Sequence, residues 1–232
     1  MSEWWTYTLS DFLLFSSRTY YRLFEIYNAA IWPAQLAAVA AGVAIPVLFR
    51  RRTPRASRAI SALLAAAWLW VAVAFLAARY ATINWAAVYF AWAFGIQAAL
   101  LVWFGAVRLR LRFEQADGFG SRAGLAIFVF ALLVLPLAGP ILGRGWKGVQ
   151  LFGVTPDPTA LATIGALLLG RGRGRGLLLV VPAIWSAMTG LTLLAMKSPE
   201  WPVLPVAALL AVGLSVQAAL RRRRAAIWTD PG

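Results

Sequence analysis

The chain has 232 residues, of which 62% are hydrophobic and 13% are charged. Soluble domains are about half apolar and about a quarter charged, so this composition excludes an ordinary water-soluble globule and indicates a polytopic membrane protein. The sequence has no histidine and no cysteine, which excludes disulfides, thiolate catalysis and metal or haem sites built from those residues. Twenty-two Lys and Arg against eight Asp and Glu give a net charge of +14, and in a membrane protein such cations report the topology.

The 28 residues before the first apolar run predict an amphipathic helix at the membrane surface. Ser10 and Asp11 form a good N-cap pair, because their side chains can accept from free N–H groups of a first helical turn, and Ser16-Ser17 is a second start signal. Arg18, Arg22 and Glu25 then recur at helical spacing on one face. Aromatic side chains of the kind that anchors a chain at the headgroup level lie in the same segment: Trp4, Trp5, Tyr7, Tyr20 and Tyr21. We expect this helix to run into the first span, and a docking surface or a lid over an outer cavity is the alternative to simple anchoring.

Seven apolar runs follow and predict seven transmembrane helices. They cover residues 29–49, 59–78, 85–107, 123–142, 159–170, 177–196 and 203–220, and a spanning helix needs about 20 residues. Sixteen cations lie in the stretches after the first, third, fifth and seventh runs, against six on the other side. Since cytoplasmic loops carry the excess of Lys and Arg, the N-terminus is expected outside and the C-terminus in the cytoplasm.

These features together predict an all-α, polytopic integral membrane protein in three parts. Residues 1–28 form an N-terminal periplasmic or interfacial helical segment, residues 29–220 a seven-helix transmembrane bundle, and residues 221–232 a short basic cytoplasmic tail. The basic stretches, such as Arg221–Arg224, predict contact with anionic lipid headgroups on the cytoplasmic side. Because topology accounts for these charges, no nucleic-acid partner is expected.

The fifth run is too short to cross a bilayer as a regular helix. Its 12 residues would span about 18 Å, against a hydrocarbon core of about 30 Å. In one interpretation, residues 150–158 enter the bundle as irregular backbone, because Pro156 and Pro158 disfavour a helix there and Thr159 is a suitable N-cap. In the other, the run is a short tilted helix preceded by a loop at the headgroup level.

Polar groups in the apolar runs are few, and they collect at the predicted outer ends. No Asp, Glu, Lys or Arg lies in the middle of a run, which argues against a proton- or sodium-coupled transporter. The connection 143–158 is rich in glycine and proline, and we expect it to fold inward over the bundle with Phe152 or Trp146 inserted. These considerations define a candidate outer polar cluster or docking loop: Asn28, Gln35, Asn84, Trp146, Phe152, Asp157 and Thr159. Ordinary helix capping and interhelical hydrogen bonds are the alternative explanation for this cluster.

Four ordered landmarks carry a resemblance that covers nearly the whole chain. They are YNAAIWPAQ at 27–35, TINWAA at 82–87, GPILG at 139–143 with FGVTPDPT at 152–159, and PAIW at 182–185. In this series the chain resembles an uncharacterised bacterial membrane family, DUF6064. The resemblance implies a multi-pass protein of the bacterial inner membrane and implies no activity.

The absence of histidine, of cysteine and of charged residues in the middle of the apolar runs favours a function without catalysis. We expect a non-enzymatic structural or accessory subunit of an inner-membrane assembly, with other membrane subunits as partners and no cofactor or metal. Twelve Trp and thirteen Phe would supply contact area to such partners and to lipid. The alternative is a small permease for a neutral or anionic solute, with an outer-side polar cavity as its entrance. Carboxylates at the outer face, such as Glu25, Asp157 and Glu200, could do acid–base work, but no motif supports an enzyme.

Overall fold

A computed structural model of the protein describes residues 14–113, 118–172 and 174–228. The predicted anchors Trp4, Trp5 and Tyr7 and the predicted N-cap pair Ser10-Asp11 therefore lie outside the described residues, as do the side chains of Arg221–Arg224. The described part is mostly helical, as the sequence predicts. Its α-helices are α1 Ser17–Ala30, α2 Ala34–Arg51, α3 Pro54–Trp70, α4 Ala87–Leu101, α5 Phe119–Val129, α6 Leu135–Ile141, α7 Pro156–Leu169, α8 Arg175–Ala195 and α9 Val203–Trp228.

Several of these helices continue into other kinds of helical turn. The ends of α3, α4 and α5 pass into π-helical segments at Val71–Ala77, Val102–Val107 and Phe130–Val134. A 3₁₀ turn, Tyr80–Thr82, follows the first of them. The second joins α4 to its loop, and the third joins α5 directly to α6.

Five helical stretches are long and apolar enough to cross a membrane. They are Ala34–Arg51, Pro54–Thr82, Ala87–Val107, Phe119–Ile141 and Arg175–Ala195. These correspond to five of the seven predicted spans, so the multi-pass class holds. The two remaining runs are shorter in the structure, as α7 has 14 residues and the apolar part of α9 covers Val203–Gln217.

A two-stranded antiparallel sheet departs from the all-α prediction. Strand β1, Leu111–Phe113, pairs with β2, Gly170–Gly172, and places Arg112 opposite Arg171. Strand β1 lies in the connection before α5, and β2 lies in the connection between α7 and α8. Pairing the two loops satisfies backbone N–H and C=O groups that would otherwise lack partners at the edge of the bundle.

The predicted arginine-rich connections meet at one end of the bundle, which we call the arginine end. Phe49 near the end of α2 contacts Phe113 of β1, with ring centroids 5.7 Å apart. The backbone N–H of Phe113 also donates to Ser57 Oγ at the start of α3, at 3.1 Å. The loops after α2, α4 and α7 therefore share this end.

Helix α1 is amphipathic, but its apolar face packs on protein. Ser16 caps the helix by accepting from the N–H of Thr19 at 3.1 Å. The buried side chains are Tyr20, Leu23, Phe24 and Tyr27. Phe24 stacks on Phe75 at the end of α3, with centroids 5.1 Å apart. The helix ends before Pro33 and does not run into α2, because proline supplies no N–H to continue the ladder.

Helix α7 forms the centre of the bundle. All 14 of its residues are buried, against α3, α5, α8 and α9. It begins at Pro156, so the expectation that Thr159 caps it is wrong, as is the expectation that the two prolines prevent a helix. The physical reason is that N–H groups of a first helical turn have no intrahelical partner, and proline loses nothing there.

Candidate functional site

A cavity of about 820 Å³ opens at the end of the bundle where α7 begins, which we call the cavity end. Its walls come from α1, α6 and the α6–α7 loop, from the first turn of α7, from the turn before α4, and from the end of α8 with the connection to the start of α9. Apolar side chains, among them Ile83, Leu135, Leu193 and Leu204, form part of the lining. The polar and charged lining consists of Arg18, Thr19, Tyr21, Arg22, Glu25, Thr82, Arg144, Gln150, Asp157 and Glu200.

A bidentate ion pair closes one side of the cavity. Arg144 Nη2 lies 2.7 Å from both carboxylate oxygens of Glu200, and the two side chains are 21% and 12% exposed. The guanidinium also stacks over Tyr21, with its Cζ 4.3 Å from the ring centroid, and Tyr21 donates to Ser198 Oγ at 3.3 Å. The pair therefore ties the α6–α7 loop, the α8–α9 connection and α1 together.

A second ion pair lies on α1 at the edge of the cavity. Arg22 pairs with Glu25 one helical turn later, and the side chains are 64% and 27% exposed. Such an exposed pair contributes little to stability, typically below about 1 kcal/mol. Its consequence is local: each of the two charges has an opposite charge beside it on the same helix.

Asp157 lies in the first turn of α7 and is 5% exposed. Its Oδ1 accepts from Trp185 Nε1 at 2.8 Å and from Thr189 Oγ1 at 2.9 Å, both on α8. The residue precedes the apolar run of α7 and lies outside the five membrane-crossing stretches. Burial raises the pKa of Asp157 to about 6, the two hydrogen bonds oppose this rise, and the nearby charge of Glu200 adds to it.

Asn28 and Gln35 do not line the cavity but hold the α6–α7 loop and the α1–α2 turn. Asn28 Nδ2 donates to the carbonyls of Lys147 and Val149, both at 2.9 Å. Gln35 Nε2 donates to the Asn28 carbonyl at 2.6 Å. The loop therefore packs against α1 instead of extending away from the bundle.

The loop residues Phe152 and Trp146 have opposite surroundings. Phe152 is 3% exposed and packs near Phe128, with ring centroids 6.5 Å apart, whereas Trp146 is 70% exposed. Tyr27 donates to the Val154 carbonyl at 3.2 Å and so fixes the end of the loop. Phe152 is thus the inserted ring.

Asn84 and Thr159 have local structural roles. Asn84 Oδ1 accepts from the N–H of Ala86 at 3.1 Å, near the start of α4. Thr159 is fully buried inside α7, where it donates to the Thr155 carbonyl and accepts from the N–H of Gly153. Of the seven residues in the predicted cluster, Asp157 is the one that lines the cavity.

Arg144 is a charged cavity residue that the sequence did not single out. It lies 56 residues before its partner Glu200, and no local pattern links two charges at that distance. Glu25 and Glu200 were recognised in the sequence only as outer carboxylates, and the structure brings both into one cavity with Asp157. In the described ranges no three carboxylate, imidazole or thiolate side chains lie close enough together to hold a metal ion.

The comparison with protein families covers nearly all of this architecture. The model of a family of unknown function, DUF6064, matches residues 17–226, from the first residue of α1 almost to the end of α9. The chain belongs to the DUF6064 family. No curated protein and no solved structure matches it, so the function of this DUF6064 protein has to be argued from its own geometry.

Proposed function

We propose that this DUF6064 protein is a non-enzymatic, multi-pass protein of the bacterial inner membrane that binds a small polar solute in the cavity at the end of α7. The cavity carries the proposal. Its volume of about 820 Å³ lies in the range of small-molecule sites, roughly 300–1,000 Å³. Its lining combines apolar walls with a few charged groups, which is the usual composition of such sites.

The central helix supports binding in preference to permeation. Below Asp157, α7 continues as a buried and almost entirely apolar segment. Its hydroxyl groups are used internally: Thr163 donates to the Thr159 carbonyl and accepts from Trp68 Nε1 at 2.8 Å. A permease would have to displace this helix, whereas a binding protein needs no such movement.

The distribution of arginines supports an outward-facing cavity. The loops after α2, α4 and α7 meet at the arginine end, opposite the cavity. If the cytoplasmic side carries the excess of cations, the cavity opens to the periplasm. The arginine end then contacts anionic lipid headgroups of the inner leaflet.

Filling the cavity tests the proposed function. The purified protein is unfolded thermally with a panel of small polar solutes, and we expect at least one to raise the melting temperature. Ala138 lines the cavity, so Ala138→Trp should abolish this shift. Leu137 is 40% exposed on the same helix, and Leu137→Trp is the matched control that should retain it. No stabilising solute, or an equal shift in Ala138→Trp, would contradict the proposal.

A second candidate function, an accessory subunit of a membrane assembly, is favoured by the surface of α4. Trp85 lies just before α4, Tyr89 and Trp92 lie on the helix, and the three rings are 67%, 67% and 72% exposed. Trp92 lies about 7 Å along the helix axis from Ala87, the first residue of α4, so the exposed rings continue from the preceding turn onto the helix. A protein partner would cover such a stripe of rings.

Photocrosslinking distinguishes a partner from lipid at this face. A photoreactive residue at position 92 should give one discrete adduct in membranes if a partner covers α4. The control position is Leu209 on α9, which is equally exposed at 72%. The same diffuse lipid labelling at both positions would remove the accessory-subunit candidate and would leave solute binding untouched.

A further inference from the structure

The floor of the cavity is a buried carboxylate with one occupied oxygen. Asp157 is 5% exposed and lines the cavity. Both of its protein hydrogen bonds, from Trp185 and Thr189, go to Oδ1. In the described part of the chain no hydrogen bond reaches Oδ2. A carboxylate removed from water needs compensation by a positive group or by further donors.

The other charges of the lining do not supply that compensation. Arg144 is held in a bidentate pair by Glu200, and Arg22 is paired with Glu25. Arg18 is exposed, lines the cavity, and makes no hydrogen bond or ion pair with the residues that the structure describes. A buried carboxylate with one free oxygen therefore lies at the floor, and an exposed arginine without an ion-pair partner among the described residues lies on the α1 wall.

Resting on the proposed function, we infer that the cavity takes a zwitterionic ammonium compound, whose ammonium group binds Asp157 and whose anionic group faces Arg18. An ammonium group supplies three donors and a full positive charge, which match the free oxygen of the carboxylate. A ligand that is only anionic would meet repulsion from the carboxylate of Asp157 at the floor. The apolar wall formed by Leu135, Leu193 and Leu204 accommodates the hydrocarbon part of the ligand.

Two kinds of ligand carry both an ammonium group and an anionic group. A free solute such as an amino acid or phosphoethanolamine carries both groups on a short skeleton. The headgroup of phosphatidylethanolamine carries the same ammonium and phosphate, and would enter from the membrane at the cavity end. The experiment therefore has one arm for each source.

The soluble arm uses phosphoethanolamine as the probe and glycerol phosphate as the analogue without the ammonium group. Isothermal titration of the full-length protein in detergent should show phosphoethanolamine binding at least tenfold more tightly than glycerol phosphate. Asp157→Asn keeps an oxygen for Trp185 and Thr189 but removes the charge, and should reduce phosphoethanolamine affinity tenfold or more. Thr192→Val on the same helix removes a hydroxyl that donates to the Met188 carbonyl and does not belong to the cavity lining, so its affinity should stay within about threefold of wild type.

Arg18→Gln tests the other half of the ligand. We expect it to weaken phosphoethanolamine several-fold and to leave ethanolamine, which has no anionic group, unaffected. Arg79→Gln is the matched control, because Arg79 does not belong to the cavity lining. Melting temperatures of all four variants establish that each is folded before binding is compared.

The lipid arm uses nanodiscs of phosphatidylethanolamine or of phosphatidylglycerol. Retention of phosphatidylethanolamine by wild type, with loss in Asp157→Asn, supports the inference with the lipid as its source. The inference is overturned if glycerol phosphate binds as well as phosphoethanolamine, if folded Asp157→Asn binds like wild type, or if neither zwitterion binds. If another solute still binds and Ala138→Trp abolishes its binding, the proposed function stands while this inference fails.

Discussion

At the scale of single residues, Asp157 shows how the bundle changes the acidity of a side chain. Burial makes ionisation of its carboxyl group less favourable, and two hydrogen bonds from α8 offset part of this free-energy cost. Glu200, Tyr20, Tyr21 and Tyr80 are the other titratable groups that interact with it electrostatically. The consequence is a stability that depends on pH.

We expect the wild-type protein to lose stability as pH rises from about 4 to about 6. The pKa of Asp157 is about 6 in the folded state against 3.8 as its ordinary value, so in this window the folded state binds more protons and the free energy of unfolding falls with pH. Asp157→Asn removes this contribution. Thermal unfolding of both proteins between pH 4 and 7 measures it, and parallel curves for the two would show that Asp157 has no raised pKa.

The Arg144–Glu200 pair gives a second prediction. Arg144→Gln leaves a largely buried carboxylate without its partner, and should lower the free energy of unfolding by roughly 1.5–3 kcal/mol. The double variant Arg144→Gln/Glu200→Gln removes the orphaned charge and should regain part of this loss. Equilibrium unfolding in mixed micelles measures the free energy of unfolding of each variant. A loss in the double variant that is as large as the sum of the two single losses, or larger, would argue against a direct pair.

At the scale of elements, the contact between α5 and α7 depends on the absence of side chains. A Cβ on Gly165 of α7 would lie 2.6 Å from the carbonyl oxygen of Gly124 on α5 and 2.6 Å from the backbone N of Phe128. The two backbones therefore touch. In a membrane no hydrophobic effect drives helices together, because lipid tails are as apolar as the side chains. Helices there commonly pack by close approach at small residues.

Gly165→Ala should therefore destabilise the bundle by roughly 1–3 kcal/mol, because two backbones would have to separate. Gly95→Ala is the matched control: a Cβ at Gly95 in α4 meets no atom within 4 Å, and alanine should be neutral or stabilising by about 0.5–1 kcal/mol. The melting temperatures of the two variants measure this difference in stability. A Gly165→Ala variant as stable as Gly95→Ala would show that α5 and α7 do not pack this closely.

At the scale of the whole molecule, the bundle has two chemically different ends. The arginine end joins the basic loops through the β1–β2 pair, while the cavity end holds Asp157, Glu200 and the loop held by Asn28. From this polarity the positive-inside bias predicts one orientation in the membrane, with the arginine end in the cytoplasm. Because the chain has no cysteine, single cysteines can report that orientation without background.

We predict that Arg55→Cys, at the arginine end, is protected from an impermeant thiol reagent in intact cells. Trp146→Cys, in a 70% exposed position at the cavity end, should be labelled under the same conditions. Permeabilised cells provide the control for reactivity, since both cysteines should then react. Labelling of Arg55→Cys in intact cells would indicate the opposite orientation, in which the cavity does not open to the periplasm.

The sequence by itself determined the features that depend on local composition. Apolar runs long enough to cross a membrane predict helices wherever they occur, because each such helix satisfies its own backbone hydrogen bonds. Five of the predicted spans therefore reappear in the structure. The start of α7 could not be located this way, since Pro156 and Pro158 disfavour a helix interior but suit a first turn.

Only the tertiary structure decided how the polar groups combine. Arg144 and Glu200 are 56 residues apart, and Asp157 meets Trp185 and Thr189 from another helix. These partners depend on which helices are neighbours, and helix order in a bundle follows from packing of side chains that leave no pattern along the chain. For the same reason the sequence could not show that Asn28 and Gln35 bind the α6–α7 loop and the α1–α2 turn. Of the predicted cluster, Asp157 lines the cavity.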